Sequence, residues 1–219
     1  MSTFNSLTSP KSINLYNKRS LETNLIWCKQ IVKILKRKRI KSIIDVGCCY
    51  FQLYKEIKRK KLKIDYFGID CDQNFLDIGF KKFPELKKKI KIGYFENFKS
   101  LKKKECILSS ATLEHVDKPN KFINNLIKFS TKYIIIRTYV SEKNKLNNHK
   151  NKLSKKFINC NEFSILKLIE FFHKKNYMAE IVKDLATINI TRHKNKERKK
   201  FFSNKKMMIM IFKKNYNEY

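Results

Sequence analysis

Apolar residues along this chain fall into short β-branched runs that alternate with helically spaced sets. The run 42–47, SIIDVG, ends on Gly47 and is followed by small residues at Cys48 and Cys49. A buried parallel strand reads this way when it turns tightly into a helix. Ahead of it, Leu25, Cys28, Val32 and Leu35 recur at helical spacing behind Ser20, a residue suited to cap a first turn. After it, Leu53 and Ile57 mark a helix, 64–70 a second strand, 73–82 a helix, 90–95 a third strand and 105–110 a fourth. A further helix starts near Pro119, with Phe122, Leu126 and Phe129 on one face. The most β-branched run, 132–140 (KYIIIRTYV), reads as a central strand, and the Lys- and Asn-rich stretch 141–158 as a long loop. Asn161 is placed to cap a helix carrying Ile165, Ile169 and Phe172. The segments 177–190 and 205–214 read as two final strands, paired antiparallel at the sheet's edge. Strands alternating with helices predict an α/β chain with a doubly wound, mostly parallel sheet.

In such sheets ligands bind beyond the carboxyl ends of the strands. Gly47 sits at one such end, and Asp70, in DYFGIDCD (65–72), at the next. A glycine turn followed by a carboxylate at the tip of the next strand holds an adenosine ribose. The carboxylate's two oxygens match a vicinal diol. Four segments occur in order: the DVG turn (45–47), GID (68–70), GYFEN (93–97) and CILSSATLEHVDKP (106–119). Together they resemble the class I S-adenosylmethionine-dependent methyltransferases, in particular the small-molecule branch with a Leu-Glu-His-Val motif. The likeness covers roughly residues 40–140.

That resemblance implies a Rossmann-like, seven-stranded sheet with an antiparallel C-terminal hairpin. Residues 1–39 would be an N-terminal arm and lid helix, and residues 40–219 the methyltransferase domain. It implies S-adenosylmethionine as cofactor, with Asp45 and Gly47 at its methionine end, Asp70 on the ribose, and Cys49, Cys71 and Ser110 alongside. Tyr94 stands where relatives often carry an acid for the adenine amine, so Glu96 or the Phe95 amide would serve there. Cys49 and Phe51 fill positions that are usually glycine, and Phe51 must then point away from the cofactor.

Methyl transfer mainly requires acceptor and methyl to be held in line. A base is needed where the acceptor is a hydroxyl, and His115 is the best-placed candidate; the competing role is packing of the turn after the fourth strand. Arg137 and Thr138, at the end of the central strand, would face the acceptor, the arginine gripping a carboxylate or phosphate.

Composition alters this reading in one respect. The 219 residues suit a single domain, but they carry a formal charge of +32. Lysine runs at 36–41, 58–61, 87–89, 102–104 and 194–200 favour anionic partners, whether nucleic acid or a smaller phosphorylated or nucleotide-linked sugar. Compositional bias toward Lys, Ile and Asn explains the same runs. The six cysteines form no Cys-x-x-Cys, so no metal site is expected. No run has the ~20 apolar residues of a membrane span, and MSTFNSLTSP lacks a signal-peptide pattern, so a cytoplasmic chain is expected. The leading function is methyl transfer to a small or carbohydrate-type acceptor. The alternatives are an RNA or protein methyltransferase and a non-catalytic nucleic-acid-binding module on the same fold. A nicotinamide dehydrogenase is disfavoured because Gly-x-Gly-x-x-Gly is absent.

Overall fold

A computed structural model describes residues 14, 17–18, 25–150, 157–190 and 206–216. In chain order its elements are α1 (Ile26–Arg37), β1 (Ser42–Val46), α2 (Gln52–Arg59), β2 (Asp65–Asp70), α3 (Gln73–Phe80), β3 (Ile90–Ile92), β4 (Lys104–Ser110), α4 (Pro119–Phe129), β5 (Ser130–Ser141), β6 (Asn148–Lys150), β7 (Phe157–Asn159), β8 (Phe163–Ser164), α5 (Ile165–His173), β9 (Tyr177–Lys183), α6 (Leu185–Ile190) and β10 (Lys206–Lys214). The sheet runs β3-β2-β1-β4-β5-β10-β9, with β8 added beside β5. The first five strands of that path are parallel, and β10 lies antiparallel to both β5 and β9. The seven strands expected are this path, and β8 is an eighth.

Both faces are covered, which explains why β1 is apolar at consecutive positions. Ile43 packs with Ile31 and Leu35 of α1 and with Leu53 and Ile57 of α2. Its neighbour Ile44 faces the other way, against Phe122, Leu126 and Phe129 of α4 and Phe172 of α5. Successive strand residues point to opposite faces, so a strand buried on both must be hydrophobic throughout.

Three local expectations are corrected. Helix α5 is capped by Ser164, whose hydroxyl accepts from the Lys167 amide at 3.4 Å. Asn161 instead donates to the Val116 carbonyl at 3.3 Å. The stretch 177–190 is not one strand: β9 ends at Lys183, and Asp184, accepting from the Ala186 amide at 3.3 Å, starts α6. Within 141–158, β6 pairs with β7 as a small antiparallel hairpin. Ser20 and the basic run 194–200 lie outside the described residues. No helix among the described residues is long and apolar enough to cross a membrane.

Candidate active site

The carboxyl ends of β1, β2, β4 and β5 open onto a cavity of about 340 Å³. Gly47, φ 76°, makes the turn out of β1. Its φ favours glycine, and so does its neighbour, because a Cβ there would lie 2.0 Å from Thr112 Oγ1. That hydroxyl donates to the Val46 carbonyl at 3.1 Å and ties the turn after β4 to the turn after β1.

Cys49 and Phe51 adopt left-handed φ values of 51° and 63° although neither is glycine. Each such residue costs roughly 1–2 kcal/mol. In that conformation the Cys49 amide donates to Asp70 Oδ2 at 2.8 Å. Phe51 turns its ring into the core, fully buried and 5.2 Å from the Phe80 ring. It takes the space beside Gly79, where a Cβ would meet the ring at 2.5 Å.

Asp70 also accepts from the Asp72 amide, at 2.9 Å. Asp72 itself caps α3, so Asp70 is the acid of this pair that lines the cavity. Each Asp70 oxygen accepts one amide and retains acceptor capacity for a ligand hydroxyl. Burial pushes its pKa up to about 6, against the pull of those amides. Asp45, buried at the end of β1, accepts from the Tyr66 hydroxyl at 2.8 Å. Burial raises it to about 7, the Tyr66 hydrogen bond opposing and the Asp70 charge adding. Glu96, also buried, lines the same cavity.

Cys49 and Cys71 are half-buried on the wall between these acids. Burial and the Asp70 charge lift the Cys71 thiol to about 12, and the same causes raise Cys49, so both stay neutral thiols. Ser110 lines the cavity at the end of β4, and its hydroxyl is buried without a hydrogen-bond partner. At the far end, Tyr94 and the start of the Phe95–Asn97 turn close the wall. The Phe95 ring packs 5.1 Å from Phe122, so its backbone is what it offers a ligand.

His115 sits in the short turn Leu113–His115 and lines the cavity. Its Nδ1 lies 2.6 Å from the Asn159 carbonyl. A carbonyl only accepts, so Nδ1 carries hydrogen, and in the neutral ring Nε2 carries the lone pair. Glu114 is the structural member of this motif. It is buried and accepts from Thr138 Oγ1 at 2.9 Å. Thr138 is therefore corrected: it is committed to Glu114 and does not reach the cavity. Arg137 does line it, held by Asp184 at 2.9 Å and lying 5.8 Å from the Trp27 ring centroid. No cluster of His, Cys, Asp and Glu among the described residues could hold a metal ion.

No family profile matches this sequence. No curated protein is similar to it in sequence. Solved structures match its fold. An S-adenosylmethionine-dependent methyltransferase from Clostridium acetobutylicum superposes with a TM-score of 0.63 at 11% identity, over 94% of this chain and 98% of that one. The Burkholderia thailandensis 1,6-didemethyltoxoflavin-N1-methyltransferase, with 1,6-didemethyltoxoflavin and S-adenosylhomocysteine bound, gives 0.60 at 10% identity over 97% and 93%. The fold is that of the class I S-adenosylmethionine-dependent methyltransferases. The cyclase SpnF also matches this fold, with a TM-score of 0.63 at 10% identity over 86% of this chain and 82% of that one. The fold alone therefore leaves the reaction open.

On this methyltransferase fold the motif residues Asp45, Gly47, Cys49, Asp70, Cys71, Phe95, Glu96, Ser110, His115 and Arg137 come together around one cavity. Sequence reasoning missed Trp27, Tyr66, Asn159 and Asp184. The first two were hidden among apolar positions. Asn159 contributes only a carbonyl to His115, which no residue type announces.

Proposed function

We propose that the chain is a methyltransferase that binds S-adenosylmethionine in this cavity and methylates a small, hydroxyl-bearing acceptor of carbohydrate type. One observation carries the reading: a chain of net charge +32 gathers Asp45, Asp70 and Glu96 at a single concavity. A cationic ligand with a vicinal diol fits that set. The buried Ser110 hydroxyl supplies a further polar contact now lacking a partner.

When bound, the cofactor supplies a methyl group on a positively charged sulfur, with a good leaving group already in place. Asp70 accepts from the ribose hydroxyls, and Asp45 faces the ammonium at the methionine end. Glu96 or the Phe95 amide meets the adenine, while Cys49 and Cys71 pack along the nucleoside. His115, oriented through its Nδ1 hydrogen by Asn159, takes the proton of the acceptor hydroxyl at Nε2 as the methyl moves.

Calorimetry with S-adenosylhomocysteine tests the reading, using Asp70→Ala as control. Micromolar binding weakened more than tenfold in the variant supports it; absence of binding by well-folded wild-type protein refutes it. A second reading, a nucleic-acid-binding module on the same fold, draws on the +32 charge. Salt-dependent retention of RNA by protein that does not bind S-adenosylhomocysteine would favour it.

A further inference from the structure

Arg137 is the only lysine or arginine that lines the cavity among the described residues, in a chain with 51 of them. It is 6% exposed, so the protein has buried one cation where its surface cations are solvated. A buried guanidinium is normally satisfied by a two-pronged carboxylate, because desolvating both charges is costly unless the remaining donors are paired. Here the pairing is partial. Nη2 donates to Asp184 Oδ2 at 2.9 Å, while Nε is buried with no partner. A buried donor left unbonded is unfavourable, and a ligand oxygen would relieve it.

The group is also held in place. Asp184 accepts from Thr187 Oγ1 and from the Ala186 amide as well. Gln30 of α1 donates to the Lys183 carbonyl at 3.0 Å and accepts from the Leu185 amide at 2.9 Å. The α1 helix that carries Trp27 is thereby fixed to the turn that carries Asp184, with Arg137 between them. The acids of the cavity belong to β1, β2 and the turn after β3. Arg137 belongs to β5, separated from β1 by β4, a lateral distance of roughly 10 Å. The cavity is thus acidic at one end and has one oriented, under-bonded cation at the other.

We propose that Arg137 is a substrate-specificity residue and that the acceptor carries a carboxylate or phosphate, bound through the guanidinium donors that Asp184 leaves unused. This inference rests on the proposed methyltransferase reading for its meaning, but it can be tested separately. Trp27 is the chain's single tryptophan, so intrinsic tryptophan emission reports on this corner of the cavity.

The experiment titrates inorganic phosphate, and separately benzoate, into the full chain at constant ionic strength of about 0.15 M, where surface charges are screened beyond about 8 Å. Each titration is run with and without saturating S-adenosylhomocysteine. A saturable change in Trp27 emission by one of the anions is expected. It should weaken at least tenfold in the charge-neutral double variant Arg137→Met with Asp184→Asn, while S-adenosylhomocysteine affinity stays within threefold. Arg137→Lys, which keeps the charge and loses the fork, should respond more weakly than wild type and serves if the double variant does not fold. An unchanged anion response in these variants would assign the signal to surface lysines and overturn the proposal. So would no saturable response to either anion in wild type. Competition between anion and S-adenosylhomocysteine, with a large loss of cofactor affinity in the variants, would place Arg137 on the cofactor's carboxylate and overturn it too. If the anion binds through Arg137 while S-adenosylhomocysteine does not bind at all, the anion site stands and the methyltransferase reading fails.

Discussion

Replacing Asp45 with asparagine should shift the stability of the ligand-free protein in the variant's favour, relative to wild type, as the pH rises. The carboxyl group is buried at the end of β1, with the Tyr66 hydroxyl as its hydrogen-bond donor and the Asp70 charge nearby. Burial dominates and lifts its pKa from 3.8 to about 7. Between those two values the folded chain holds a proton that the unfolded chain has released, so this group's contribution to stability falls as pH rises through the window. At ~1.4 kcal/mol per unit, the full cost above pH 7 is roughly 4 kcal/mol, about 3 of which accrue between pH 5 and 8. Asparagine keeps an acceptor for Tyr66 and never ionises. Its amide hydrogens need partners, which sets a pH-independent offset of about 1–3 kcal/mol. The quantity to measure is therefore the change with pH. Urea unfolding of both proteins at pH 5 and pH 8 should show the variant gaining roughly 3 kcal/mol on wild type across that range, or on the order of ten degrees in melting temperature for a chain of this size. A difference that does not move with pH would mean that Asp45 is already ionised at pH 5, and the account of the acidic cavity floor would be wrong.

Two further outcomes follow from the turns. Cys49→Gly relieves the left-handed strain at φ 51° and gives back some chain entropy, for a net gain of about 0.5–1 kcal/mol; urea unfolding that shows a loss would mean the Cys49 side chain holds the turn. His115→Ala, assayed with an identified hydroxyl acceptor, should lower kcat by about 10²-fold or more with S-adenosylhomocysteine affinity unchanged, and near-wild-type turnover would reduce His115 to a packing role.

Much of the sheet was legible because its central parallel strands β1, β4 and β5 are largely buried on both faces and therefore read as mainly apolar runs. The same rule misled at 177–190, where LATINI is as β-branched as a strand; the decisive signal was Asp184, a polar start for α6. The candidate site was legible where side chains carry it, as at Asp45, Asp70 and His115. Pairing Arg137 with Thr138 as two substrate contacts conflicts with strand geometry. Adjacent residues of a strand face opposite sides, and once one lines the cavity the other points to Glu114 on the far face. Glu114, next to His115 in the same motif, has its carboxylate buried against Thr138. Asn159 could not be read at all, because its role uses the backbone.

The charge distribution ties these observations together. Of the acids among the described residues, Glu56, Asp65, Glu85, Glu105, Glu162 and Glu180 pair with lysines or arginines outside the cavity. Asp45, Asp70 and Glu96 are buried around the cavity without a cation. The exterior is accordingly basic and the cavity floor acidic. A cationic cofactor is repelled by the chain as a whole, but over about 8 Å in physiological salt that field is screened and the local acids decide. On the proposal made for Arg137, an anionic acceptor would be drawn by the exterior and meet that residue at the other end of the cavity. On the proposed function, transfer removes the positive charge from the sulfur. Asp45 still faces the ammonium and Asp70 the ribose, so the cavity loses only its longer-range attraction for the sulfonium, and the hold on the product is weaker by that part alone.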